Sequence, residues 1–598
     1  MPDTARLAAR LLAVLAGGLL LAAPLGALPG SVEARVKAAA SALARGDGIA
    51  AEAELDRALE AGAARSDVAA AMGEALIAQG ELVRAREWLA PGQFAPASQA
   101  YGWRMIGLLE RREGNLPAAG KAYDRALALT PNDPQLWVEI GRMRYAGGEH
   151  LQAIQAADRA LELGPQHPRA LEFRAQLLRD AGDPAGALAL IGRALDVAPD
   201  DAELLAGQAE TLGELGRASE MLTVVRRMAE LQPRHPWPAY LQAVLAARAG
   251  KTDLARSILG RAGDRLDKVP AAMLLAGLLE LEAGNASVAA DQLEELARLQ
   301  PGNQRAQLLL ARALFDAGEH GRLFARFGAA AARSDAPAYL LELLGRAHEE
   351  RGERAAAAPL LDRAASSAPR QMVPMAVQAT ASAPVTAARS LLAAGNSAQA
   401  RQVAERQLSV RPGSYEALYL AGDVDLAAGQ AARALPRYQA ASLARFPDSL
   451  LLRISLAYEQ LGQAGNSRLL VARYLAAMPQ SPLAARMAAG QGAFARDWDS
   501  ARALLENLRR RGANRDVRLL SDLSLAQLRS GDGAAASESA ARAWALQPAN
   551  PVAVQAYAMA LAETGKDAAL ARQLLEQARS SSAGNPLLDE TAKKLRLR

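Results

Sequence analysis

The sequence predicts an all-α protein, a right-handed α-solenoid of about 16 helix-turn-helix units. Three observations predict it. The stretch from residue 100 to 235 divides into gapless blocks of 34 residues, beginning at Ala100, Pro134, Pro168 and Ala202. Each block carries a small residue at its eighth place (Gly107, Gly141, Ala175, Ala209) and a glycine at its fifteenth (Gly114, Gly148, Gly182, Gly216). Each also carries a proline at its thirty-second place (Pro131, Pro165, Pro199, Pro233). A fixed period of this length marks a stacked repeat, and such a core grows linearly with the chain.

Within one block the pattern reads as two helices. Trp103, Ile106, Gly107 and Glu110 follow the i, i+3, i+4, i+7 spacing of one helical face. The glycine at place fifteen ends that helix, because glycine adopts the left-handed conformation without strain. Ala119, Tyr123, Ala126 and Leu127 share a face of the second helix, and Pro131 forbids its continuation. Gly107, Ala119 and Ala126 fall where two helix axes cross closely. One pair cannot bury both its faces, so pairs must stack on their neighbours.

These residues resemble the tetratricopeptide repeat. Trp103, Ile106, Gly107, Ala119, Tyr123, Ala126 and Pro131 carry the resemblance in one copy. Trp137, Ile140, Gly141, Ala153, Ala157, Ala160 and Pro165 carry it in the next. The family's tyrosine at place eleven is absent, since Glu110 and Arg144 stand there. The resemblance implies that places 2, 5, 9, 12 and 13 of each first helix line a concave groove that binds a partner. Tyr101, Arg104, Arg111 and Arg112 then belong to the groove, followed by Arg142 and Tyr145, then Arg169 and Arg179. Arginine offers a planar donor fork for carboxylates, and tyrosine a stacking face with a polar tip. An extended acidic peptide or an anionic polysaccharide would suit such a surface. A chaperone-type carboxylate clamp needs lysine at place 5 and asparagine at place 9, but Arg104 and Leu108 stand there. A second, more apolar stretch, Trp237, Tyr240, Val244, Ala271, Leu274, Leu278 and Leu281, would seat a helical partner segment or be covered by the solenoid's own coil.

Taken in order, the 598 residues are 51% apolar and only 4% aromatic, with a net charge of +5. The positive charge is interspersed with Asp and Glu and forms no dense basic run, which argues for a solvated surface and against nucleic-acid binding. There are 0 cysteines, so disulfides, thiolate metal sites and cysteine nucleophiles are excluded. Residues 1–34 combine Arg6 and Arg10 with an apolar run broken by Gly17, Gly18, Pro24 and Gly26. That pattern fits a secretory signal, with an uncleaved membrane anchor as the other reading. Either places the repeats in the periplasm, free or held at the inner membrane.

Repeats fill the rest, with segment 1 over residues 35–371. Stepping by the period meets turn glycines at Gly46, Gly80, Gly250, Gly284, Gly318 and Gly352. Residues 372–383, with Pro374 inside and Pro384 just after, break the phase. They form an interrupting loop, either a joint between two superhelical segments or a tolerated surface insertion. Segment 2 resumes over 384–584, with Gly395, Gly429, Gly531 and Gly565 in the new register. Residues 585–598 read as a capping helix whose charges face solvent.

Enzyme signatures fail. The run from His348 to Gly352 begins like a zinc-protease helix but has glycine where the second histidine belongs. Gly250-Lys251-Thr252 ends like a phosphate loop, yet Leu245 replaces the leading glycine. The 5 histidines show no ligand spacing. The expectation is therefore a non-enzymatic scaffold without catalytic residues, metal or cofactor. It would bind protein segments in the bacterial envelope, in exopolysaccharide export or envelope assembly. A membrane-anchored adaptor or regulator of an envelope enzyme is the alternative.

Overall fold

A computed structural model describes residues 31–366 and 383–596, apart from 234, 264, 265, 267, 334, 335, 549 and 582–584. Among the described residues there are 33 α-helices and no strand. Ten helix pairs precede the phase break and six follow it, with one closing helix, Pro586–Arg596. Below, the first helix of a pair is A and the second B. In the best-patterned region the pairs are Gln99–Arg112 with Leu116–Leu129 and Pro134–Ala146 with His150–Leu163, followed by Pro168–Asp180 with Pro184–Val197 and Ala202–Glu214 with Ala218–Leu231. The chain is an all-α repeat solenoid, as its period predicts.

Local chemistry sets each boundary. The turn between A and B needs a left-handed residue, and Gly148 supplies it at φ +77°. The residue before several A helices caps them with its side chain. Asp133 accepts the Gln135 N–H at 2.9 Å, and Asp201 accepts those of Glu203 and Leu204. Ser414, Asp516 and Asn550 do the same in the second half. Such caps satisfy backbone donors that a helix start leaves without partners.

The close crossing inside a pair depends on the eighth place. A Cβ on Gly107 would stand 2.3 Å from Tyr123 Cε1, and one on Gly422 would stand 2.5 Å from Tyr438 Cε1. The aromatic ring of the B helix thus lies against bare backbone of the A helix. One repeat solves the same problem differently. Ala157 occupies the B-helix position of the ring, and the space above Gly141 is filled instead by Phe173 of the following repeat, 2.5 Å from an ideal Cβ. Phe173 is buried there with Val138, Ala153, Ala160, Ala170 and Leu177, which ties consecutive repeats into one continuous core.

The terminal helix buries Leu588, Ala592 and Leu595 against the last pair. Its polar side is paired, with Asp589 to Arg579 at 2.9 Å, Glu590 to Arg529 at 2.8 Å, and Lys594 to Glu563. The leader lies outside the described residues up to residue 30, and the first described helix is Val32–Ala44. The interrupting loop lies outside them up to residue 382. No described helix is long and apolar enough to cross a membrane.

Candidate partner-binding groove

A helices of successive pairs lie side by side, and B helices fill the layer behind them. The side chains predicted to line the groove therefore share one surface. Of the eight, Arg142 and Arg179 line a cavity, and each has partners within the chain or solvent around it. Tyr101 donates its hydroxyl to Glu74 of the preceding repeat. Burial, then the Glu74 carboxylate, pushes that phenol well above its ordinary value. Arg104 meets Asp133 at 3.2 Å, Arg111 meets Glu139 at 2.9 Å, and Arg142 meets Glu172 at 2.8 Å. Arg169 reaches Glu203 at 2.7 Å and Asp201 at 2.9 Å. Arg179 holds Glu214 at 2.6 Å and Glu210 at 2.9 Å. Tyr145 donates to Asp180 at 2.6 Å, and burial followed by that bond raises its pKa. Arg112 is exposed and has no ion pair among the described residues.

The expectation of a basic groove is corrected here in its charge balance. Each paired arginine points along the solenoid axis to an acid of the adjacent A helix, so its charge is answered within the chain. Sequence reasoning weighed the arginines one repeat at a time, and their partners sit about one repeat further on. A cavity of about 620 Å³ opens in this region. Its lining includes Glu172, Asp180, Glu203, Glu210 and Glu214 but only Arg142 and Arg179. Its five carboxylates outnumber the three guanidinium groups that touch them, those of Arg142, Arg169 and Arg179, so acid is in excess, and Ile191, Leu204 and Ala206 give it apolar walls. Such a site repels a polyanion and fits a basic side chain on an apolar stem.

The apolar stretch further along is packed in part. Trp237 and Tyr240 stack on each other at 4.9 Å and pack against a core of Leu205, Leu212, Val225 and Leu241. Leu281 is buried and Leu274 packs on the next core. Of the seven residues, Leu281 is buried and the other six are half-buried.

Two features escaped the sequence. The A helix Tyr415–Ala427 buries two aspartates completely. Asp423 takes Arg453 at 3.1 Å and the Tyr438 hydroxyl at 2.6 Å, while Asp425 takes Arg401 at 3.0 Å and Arg437 at 3.1 Å. Two acids spaced i, i+2 in the otherwise apolar run Leu418–Leu426 were the available signal. The other feature is contact between distant parts of the coil. Phe446 donates its amide to the Asp180 carbonyl at 2.7 Å, and Leu151 donates to Gly413 at 3.3 Å. No periodicity announces these.

An all-helical stack with a continuous inner layer of A helices and no appended domain among the described residues is a protein-interaction scaffold of the helical-repeat class. The chain carries tetratricopeptide repeats: the sequence profile described as Tetratricopeptide repeat matches residues 104–168, 174–236, 274–322 and 385–449. Similar solved structures include a tetratricopeptide repeat protein from Parabacteroides merdae, 17% identical, covering 47% of this chain and 98% of that one, with a TM-score of 0.32. PilF of Pseudomonas aeruginosa is 17% identical over 36% of this chain and 97% of its own, with a TM-score of 0.32. The Cut9–Hcn1 hetero-tetramer of the APC/C is 13% identical over 83% of this chain and 96% of that one, with a TM-score of 0.30. No curated protein matches the sequence.

Proposed function

We propose that this chain is a non-enzymatic scaffold of the bacterial envelope that holds an extended or helical segment of a protein partner along its A-helix groove. The acidic cavity between Arg142 and Glu214 carries the reading. A lysine or arginine of the partner enters there, its stem on Leu204 and Ala206 and its charge among Glu172, Glu203 and Glu210. The two-sided pattern of residues 1–34 supports delivery to the periplasm, where organising an export or assembly machine is the role we assign. Sequencing the amino terminus of the envelope-fractionated protein tests that placement. A start at residue 28 or 35, after the small residues Ala27 or Ala34, supports it, and recovery from the cytosol contradicts it.

The groove is tested by affinity capture of partners from the envelope. Glu203 is 72% exposed, so Glu203→Lys leaves the fold intact while reversing charge at the cavity mouth. Capture that falls at least tenfold supports the acidic site. Capture that is unchanged with Glu203→Lys and with Glu210→Lys removes it.

A further inference from the structure

Three turn glycines of the first half meet loops of the second half in step. A Cβ on Gly148 would stand 3.8 Å from Ser414 Oγ, one on Gly182 3.5 Å from Phe446 Cβ, and one on Gly216 against the Gln480 amide. The glycines advance by one repeat and so do the loops. Turn glycines Gly114, Gly250, Gly284, Gly318 and Gly352 meet nothing within 4 Å. One superhelical turn thus rests on the next over a run of about three repeats.

The centre of this contact is His150, 2% exposed although it begins a B helix. Its Nδ1 accepts the backbone N–H of Tyr415 at 3.2 Å. Its ring meets Tyr145 edge-on at 5.2 Å and Tyr415 at 6.5 Å. Arg445 donates to the Tyr145 hydroxyl at 2.9 Å and lies over both tyrosine rings. The charged groups facing His150 are Glu416 at 3.8 Å, Arg445, and Asp180, with Arg411 beside Gly148. Asp180 belongs to the wall of the acidic cavity, and its carbonyl receives the Phe446 amide. The contact therefore sits on the rim of the groove.

We propose that the contact of the two turns around His150 is a latch on the rim of the acidic cavity, and that it opens when His150 takes up a proton. An imidazole that accepts the Tyr415 N–H through Nδ1 must be neutral, and a protonated ring presents a second donor to that N–H. Burial, and Arg445, disfavour the charged ring, while Glu416 and Asp180 favour it; burial is the largest effect and the pKa is lowered. The sign follows. The closed latch holds fewer protons than the open one, so closure is complete above the free histidine value of about 6.5. It weakens as pH falls from there toward the lowered value, by up to about tenfold in the closed-to-open ratio per pH unit. Opening releases Tyr145 and Asp180 and widens the entrance for a basic segment. That consequence rests on the groove reading; the latch itself does not.

Amide hydrogen exchange on the full chain, corrected for the pH dependence of the intrinsic rate, reads the latch without any partner. The amides of Leu151, Tyr415 and Phe446 lose protection as pH falls from 7.5 to 5.5, while those inside Pro270–Glu282 keep theirs. His150→Gln, an uncharged side chain with an acceptor, flattens the profile. Glu416→Gln, at an exposed site, removes a charge that favours the protonated ring and deepens the loss. Unchanged protection in the wild-type chain, or an equal loss in a His150→Gln variant of normal helicity, overturns the latch. Should capture fail while the exchange profile appears as described, the groove assignment falls and the latch stands.

Discussion

The arginine pairs of the groove and the latch at His150 use the same kinds of side chain, yet they connect residues at very different separations. Arg111 and Glu139 lie within one repeat length, as do Arg142 and Glu172. Tyr145 and Arg445 lie about nine repeats apart, as a period of about 34 residues counts them. The first kind of contact is repeated down the solenoid and makes each repeat lean on its neighbour. The second occurs where the coil returns beside itself. Stability should follow the first and shape the second, because nearest-neighbour interfaces dominate the energetics of stacked repeats.

The largest effect tests the local kind. Asp425→Ala leaves Arg401 and Arg437 facing an empty, buried carboxylate position, and should lower unfolding free energy by about 3–5 kcal/mol in urea titration. Gly107→Leu drives a side chain into the Tyr123 ring and should cost about 1–3 kcal/mol by the same measurement. Arg179→Ala breaks a pair that water still reaches, so its cost should be only about 0.2–1 kcal/mol, shrinking at high salt. If Arg179→Ala matched Asp425→Ala, the groove pairs would be far more than surface couplings.

The period, the turn glycines and the cramped eighth place all make the local architecture readable from sequence. Gly107 against Tyr123 is one example, where a small residue announces a ring across the crossing. Gly141 shows the limit. Its partner is Phe173 from the next repeat, because Ala157 is too small to reach, and the alignment of copies hides that exchange. The groove arginines were readable as positions but not as charges, since their acids stand on the following A helix. The latch was not readable at all. Which loop returns beside which turn depends on the small rotation from each repeat to the next, summed over many repeats.

A further expected effect concerns a second contact across turns. Glu342 of one A helix is bonded by the Gln547 side chain, and burial pushes its carboxyl up to about 7. A raised carboxyl favours the folded chain at low pH, and that contribution is lost as pH rises between the unfolded value of about 4.5 and about 7. Glu342→Gln should therefore raise the melting temperature at pH 8 and leave it unchanged at pH 4. A loss of stability at pH 8 would mean that the charged form is held by groups other than Arg346.

The return of the coil onto itself is tested most directly by a cross-link. The chain has 0 cysteines, so a pair of introduced thiols reports without interference. A Cβ on Gly413 would lie 2.9 Å from the Gln152 side-chain Cδ, so the two positions face each other where the coil returns. The Gln152→Cys, Gly413→Cys variant, oxidised at pH 7.5 and read by intact mass and non-reducing electrophoresis, should form one intramolecular bond in nearly every molecule. A Gln152→Cys, Gln480→Cys variant should form none. Free thiols in both variants would contradict a closed coil and leave only a row of neighbouring repeats.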